Sequence, residues 1–156
     1  MVLADDAVTM SLDGRTDGVM LPGLDDTWRR RVHYIGVLPN LLISLHPDYV
    51  MTHLMTPLAV DRTHVECAWA FPKGVAEKPD FDPSYAVDFW DLTNQEDWNA
   101  CRRVQQGAGN RGFAPGPLSP WESTIYQFLA MVGQAYRGEE VTAPAMPSER
   151  MAEATL

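Results

Sequence analysis

Cysteine is scarce in this chain of 156 residues, which has two of them, Cys67 and Cys101. They stand far apart and form no C-x-x-C pair. Neither makes a zinc-like spacing with His33, His46, His53 or His64. That excludes a disulfide scaffold and a zinc ribbon, and leaves reduced, buried thiols as the expectation. Basic residues are also few, with 12 Lys and Arg against 21 Asp and Glu and a net charge of −9. Nucleic acid and anionic membranes both need a basic surface, so neither is expected as a main partner. The run Arg29-Arg30-Arg31 is too short to reverse this balance and reads as a solvated loop. No stretch approaches the roughly 20 apolar residues of a membrane span. The N-terminus has no signal-peptide pattern, and a soluble, cytoplasmic protein is expected. Internal repeats are absent as well.

What remains is the composition of an ordinary globular domain, 46% hydrophobic and 21% charged, long enough to bury a core. "DAVTMSLDG", residues 6 to 14, alternates enough to read as a strand closed by the Asp13-Gly14 turn. "RTDGVMLPGLDDTWRRR" follows as a loop rich in Gly and Asp. The next stretch is β in character and breaks into runs 32–37, 41–46, 49–58 and 63–71. Pro39-Asn40, Pro47-Asp48 and Val60-Asp61-Arg62 supply the breaks. Val65, Cys67, Trp69 and Phe71 share one face of the last run at period 2. Consecutive strands joined by short turns predict an antiparallel meander.

After residue 81 the period changes. Asp82 as N-cap and Pro83 at the first helical position open a helix running to about Gln106, with Gly107 as its stop. "SPWE", residues 119 to 122, is a capping box opening a second helix. There Trp121, Ile125, Phe128, Val132 and Tyr136 recur at helical spacing as a core stripe, and Gly138 ends the run. A tail over 139–156, with Pro144 and Pro147, is expected to be flexible. Strands first and helices afterwards predict an α+β fold, the helices covering one face of an antiparallel sheet. That arrangement leaves a space between the long helix and the sheet.

One residue on the long helix does not suit its position. At about 100° per residue, Asp97 falls within roughly 40° of Trp90, Thr93, Cys101 and Val104, the apolar stripe. A charged carboxylate off water must neutralise, pair or bind a cation. A core arginine, a tyrosine or backbone amides would satisfy it, and so would a metal ion. Glu96 sits at the border of the stripe and reads as a solvated acid. His53 lies between Met51 and Met55 at a sheet position that could face a cavity, His64 alternates with Glu66, and His46 precedes a proline turn. No two histidines form an i, i+4 or H-x-H pair.

Three blocks of the chain resemble a known family. "PNLLISLHPDYVMTHLMTPLAVDRTHVECAWAFP", "DFWDLTNQEDWNACRRVQQG" and "GPLSPWESTIYQFLAMV" resemble, in order and spacing, the C-terminal half of the catalytic domain of Rieske non-haem iron oxygenase α subunits. The ring-hydroxylating or choline-monooxygenase-like branch looks nearest, and the likeness runs from about residue 5 to 138. The resemblance implies a helix-grip, START-like fold in which an antiparallel sheet curves around a long helix. It implies mononuclear Fe(II) held by two histidines and one carboxylate, and the carboxylate position maps onto Asp97. The family often has an acid after the cysteine of this block, where this chain has Arg102. Trp90, Thr93 and Cys101 share the face of Asp97 and become candidate substrate-pocket residues, with core packing as the alternative for each.

The departures are large. The family's N-x-x-D-x-x-H-x-x-x-x-H pattern, which carries the two histidine ligands, does not occur here. Nor do the C-x-H and C-x-x-H pairs of the Rieske [2Fe–2S] cluster. Residues 1–138 are therefore expected to be the C-terminal segment of a ring-hydroxylating oxygenase catalytic domain, inactive alone. Its implied partners are the upstream remainder of the α subunit and a ferredoxin or NAD(P)H-dependent reductase, in a homotrimer. A non-enzymatic helix-grip module binding an apolar ligand, and a degenerate fragment, are the other readings.

Overall fold

A computed structural model describes residues 1–119 and 122–144. The chain divides into two compact units, Met1–Asn110 and Arg111–Leu156. In the first unit four strands, β1 (His33–Val37), β2 (Leu41–Leu45), β3 (Val50–Ala59) and β4 (Arg62–Ala70), precede the helix α1 (Ser84–Ala108). They form one antiparallel sheet in the order β1-β2-β3-β4. The second unit holds α2 (Ser123–Tyr136). Helices with an antiparallel sheet make the class α+β. No helix among the described residues is long and apolar enough to cross a membrane.

The meander follows from period-2 patterning punctuated by turn residues. Pro57 lies inside β3, where a missing N–H would ordinarily break a ladder. It is tolerated because β2 pairs only as far as Leu54, and beyond that point β3 has a neighbour on the β4 side alone. A register irregularity between Pro57 and Ala59 accommodates it further. Cross-strand partners Met51 and Trp69, then His53 and Cys67, sit directly opposite one another. Two residues apart on each strand, they present one face.

Helix α1 lies on that face through Ala86, Trp90 and Asn94, its buried residues, spaced one turn apart. Tyr49, Met51, Ala86 and Trp90 are the buried core, with Cys67, Trp69, Phe71, Tyr85 and Phe89 packed around it. The helix starts one residue later than expected, at Ser84 with Pro83 as its N-cap, and the Asp82 carboxylate accepts the Ser84 N–H at 2.9 Å. At the far end the helix runs past Gly107 to Ala108, so Gly107 is not its stop. From Asn99 onward every residue of α1 is exposed. The last turns of the helix therefore project beyond the part it covers.

The N-terminal stretch is not a strand over 6–14. Residues 7 to 14 form turns, closed by Val8 N–H to the Gly14 carbonyl at 2.8 Å, with Gly14 at a φ of 76°. The cause is tertiary. Asp48, fully buried, accepts the Thr9 hydroxyl at 2.5 Å and the Thr16 hydroxyl at 2.5 Å, and those bonds hold the segment folded. The arginine run is also more than a solvated loop. The Arg30 guanidinium donates to the Ala7 and Ala4 carbonyls, each at 2.7 Å, and to that of Leu3 at 3.3 Å.

In the second unit the helical spacing is realised but the burial is not. Ile125 is 45%, Phe128 43% and Tyr136 90% exposed, and α2 has no buried residue. Trp121, with Pro120, lies outside the described residues. The helix starts at Ser123 with Glu122 as its N-cap, later than the expected cap at Ser119, and the Glu122 carboxylate accepts the Ser119 N–H at 2.6 Å. Residues beyond the helix fold back on it, Thr142 N–H reaching the Gln134 side chain and Gln127 the Pro144 carbonyl, each at 3.0 Å. The remainder of the expected tail, 145–156, lies outside the described residues.

Replacing Asp48 by alanine leaves the buried Thr9 hydroxyl without its acceptor. Hydrogen bonds to charged groups are worth roughly 1.5–3 kcal/mol each, so Asp48→Ala is expected to lower stability by about 2–3 kcal/mol in urea unfolding. A loss below about 0.5 kcal/mol, ordinary for a surface change, would show that the loop is held by something else.

Candidate functional site

The polar side chains between α1 and the sheet form two connected groups. In the first, Trp90 Nε1–H donates to the Tyr49 hydroxyl at 3.0 Å, and that hydroxyl donates to the Met10 carbonyl at 2.8 Å. Helix α1, the turn between β2 and β3, and the N-terminal loop thus meet at one oxygen. Burial raises the pKa of Tyr49 far above its ordinary value, so the phenol stays protonated and able to donate. The His46 ring stacks on Tyr49 with centroids 4.2 Å apart and meets the edge of Trp90 at 5.7 Å.

The second group lies one turn along the helix. His53 Nε2 and the Asn94 side-chain oxygen are 2.9 Å apart. The Asn94 amide nitrogen donates to Cys67 Sγ at 3.6 Å. With that nitrogen directed at sulfur, the Asn94 oxygen faces His53 Nε2. Burial pushes the Cys67 thiol up, away from the thiolate. Trp90 meets the His53 ring edge-on at 5.5 Å. The space expected between helix and sheet is therefore bridged directly by Trp90 and Asn94.

Asp97 does not point into that space. It is exposed and has no hydrogen bond or ion pair among the described residues, so the expectation of a buried acid is corrected. Of the stripe on which it was expected, Trp90 is buried, whereas Cys101 and Val104 are exposed. Burial ends at Asn94, one turn before the acid. Thr93 is half-buried and spends its hydroxyl on the Phe89 carbonyl at 2.9 Å. Cys101 is exposed, contrary to the expected buried thiol. The structure thus brings Trp90 together with His53 and Asn94, and leaves Asp97 and Cys101 on the open continuation of the same helix. Asn94 carries no charge, so it stands out less in the sequence than the acid after it. Its signal was a polar residue four after a core tryptophan, facing a strand histidine.

A mononuclear iron centre needs two imidazoles and a carboxylate converging on one point. Among the described residues no three His, Cys, Asp or Glu side chains cluster closely enough to hold a metal. An amide stands where an acid would be needed beside His53, and Asp97 has no histidine pair next to it. These residues do not by themselves fit the iron.

With this geometry in view, comparison with known proteins defines the class. Residues 1–138 match the model of the ring hydroxylating alpha subunit (catalytic domain), and the chain belongs to this family. A curated relative, the glycine betaine monooxygenase oxygenase subunit of Chromohalobacter salexigens, is 27% identical over 132 residues, covering 81% of this chain and 29% of that protein. The chain spans less than a third of that relative's length.

His46 carries a pH dependence whose sign is determined. Burial holds its pKa at about 4 against 6.5 for the free side chain, so the folded protein binds fewer protons than the unfolded one. Stability is complete above pH 6.5 and falls as the pH drops from there towards 4, because unfolding gains a proton. Urea midpoints measured across that range are expected to fall with acidity in the wild type, and less steeply in His46→Phe. Equal slopes would remove His46 as the cause.

Proposed function

We propose that this chain is the C-terminal segment of the catalytic domain of a Rieske-type oxygenase α subunit, and that Asp97 is the carboxylate ligand of its mononuclear Fe(II). The observation that carries the reading is the free carboxylate of Asp97, one turn past the buried face of α1, within a chain of the ring-hydroxylating family. An acid with no partner among the described residues is available to a cation and to ligands contributed from elsewhere in the subunit. The two histidine ligands and the [2Fe–2S] cluster belong to that remainder, since the motifs that bear them are not in this sequence.

Iron held by the complete subunit, with Asp97 as one ligand, would supply O₂ activation for hydroxylation, cis-dihydroxylation or oxidative demethylation of a small organic molecule, with electrons from an NAD(P)H-dependent reductase, directly or through a ferredoxin. The chain's own part is mechanical. Trp90 and Asn94 fasten α1 to β3 and β4, and so set where Asp97 emerges. Trp90, buried, and Thr93, half-buried, lie on the helix before Asp97 and would form the inner edge of a substrate pocket there. Cys101, one turn beyond Asp97, would line its outer edge. The segment alone has no route to catalysis, and the complete α subunit, in a cytoplasmic homotrimer, is the active form.

Iron content of the assembled subunit tests the assignment. Asp97→Ala is expected to lower bound iron by more than about tenfold, given that even outer-shell changes cost 10–100-fold. Because Asp97 is exposed and has no partner among the described residues, the same change is expected to leave stability within about 0.5 kcal/mol. Iron retained at the wild-type level by a folded variant would rule the ligand out.

A further inference from the structure

A cavity of about 180 Å³ lies at the start of β1 and the end of β2, lined by Leu21, Leu24, Trp28, His33, Leu45 and His46, with Arg31 also contributing. It is separate from the Asn94 and Asp97 surface of α1. His33 and Leu45 are cross-strand partners, and the segment from Leu21 to Trp28 covers them. Leu21 is held there by its N–H, which reaches the Pro47 carbonyl at 2.7 Å.

Two features point to a ligand. His46 is 2% exposed, and both of its ring nitrogens, like Nε2 of His33, are buried with no hydrogen-bonding partner among the described residues. Buried polar nitrogens are nearly always paired in folded proteins, since leaving them bare forfeits their hydration. The second feature is size and lining. An engineered apolar cavity of roughly 150 Å³ takes benzene, and this one is comparable, with three leucines and a tryptophan in its wall. Trp28 and His33 lie ring on ring, 4.4 Å apart and tilted by 31°, giving one side an aromatic surface.

We propose that this cavity binds a neutral, ring-sized apolar molecule carrying one hydrogen-bonding group, its ring against Leu21, Leu24, Trp28 and Leu45 and its polar group paired with the imidazoles of His46 and His33. A hydroxyl suits a neutral imidazole, because it can donate to the bare nitrogen or accept from the protonated one. An anion is disfavoured. His46 is held neutral by its burial, the chain carries a net charge of −9, and Arg31 is the one basic group among the lining residues. A divalent cation is disfavoured by that same guanidinium and by the lack of any carboxylate in the wall.

The test uses the full chain at pH 7.5 with phenol, toluene and benzoate as probes, followed by ligand-observed NMR and calorimetry. Phenol is expected to bind saturably and at least about tenfold more tightly than toluene, the worth of one hydrogen bond, with benzoate weakest. Leu24→Trp, which fills the cavity from its covering loop, is expected to abolish phenol binding in a chain whose circular dichroism is unchanged. His46→Phe is expected to bring phenol down to the level of toluene, and if that variant fails to fold, Leu24→Trp decides. Saturable phenol binding that survives Leu24→Trp would overturn the proposal. So would benzoate binding more tightly than phenol, or no saturable binding of any probe.

Discussion

The hydroxyl of Tyr49 is the point on which the first unit depends. It is fully buried, accepts from Trp90 and donates to Met10, and so spends both roles of one oxygen on two different parts of the fold. A buried hydroxyl without partners would weigh against folding. Paired this way, it fixes the N-terminal loop on one side and the rotation of α1 on the other. His46, stacked on the same ring, is shut away from water by the same packing. Once Trp90 is seated, Asn94 arrives one turn later against His53 and Cys67. The next polar residue on that face, Asp97, then falls beyond the covered part of the helix.

This geometry separates two properties that a helical stripe conflates. Sharing a face with core residues says which way a side chain leaves the helix axis. It does not say that anything lies opposite. Past Asn94 the face of α1 continues through Asp97 and Cys101, but both are exposed. The same holds for α2, whose apolar stripe recurs at helical spacing and yet remains open. A curated relative is more than three times as long as the region it matches here.

Legibility in the sequence followed the range of the forces involved. The four strands and the start of α1 were readable because alternation, proline turns and an Asp-Pro cap act within a few residues. Strand limits differ from the reading by a residue at most. The N-terminal loop was not readable, since Thr9 and Thr16 fold onto Asp48, which is more than thirty positions away, and nothing local announces that pairing. Asn94 was passed over in favour of the acid three residues later, because charge is the louder signal. Arg30, taken as part of a solvated run, is committed to three backbone carbonyls. Helical phase and the family resemblance both point to Asp97, whereas the fold directs attention to His53 and Asn94.

The central claim is that a polar seam, and not apolar packing alone, holds α1 in the rotation that sets where Asp97 emerges. A double-mutant cycle on Tyr49→Phe and Trp90→Phe, read by urea unfolding, measures that seam directly. A coupling energy of about 1 kcal/mol, typical of neighbouring groups that share a hydrogen bond, is the expected result. Stability losses that simply add, with coupling indistinguishable from zero, would contradict it and leave the helix rotation to packing.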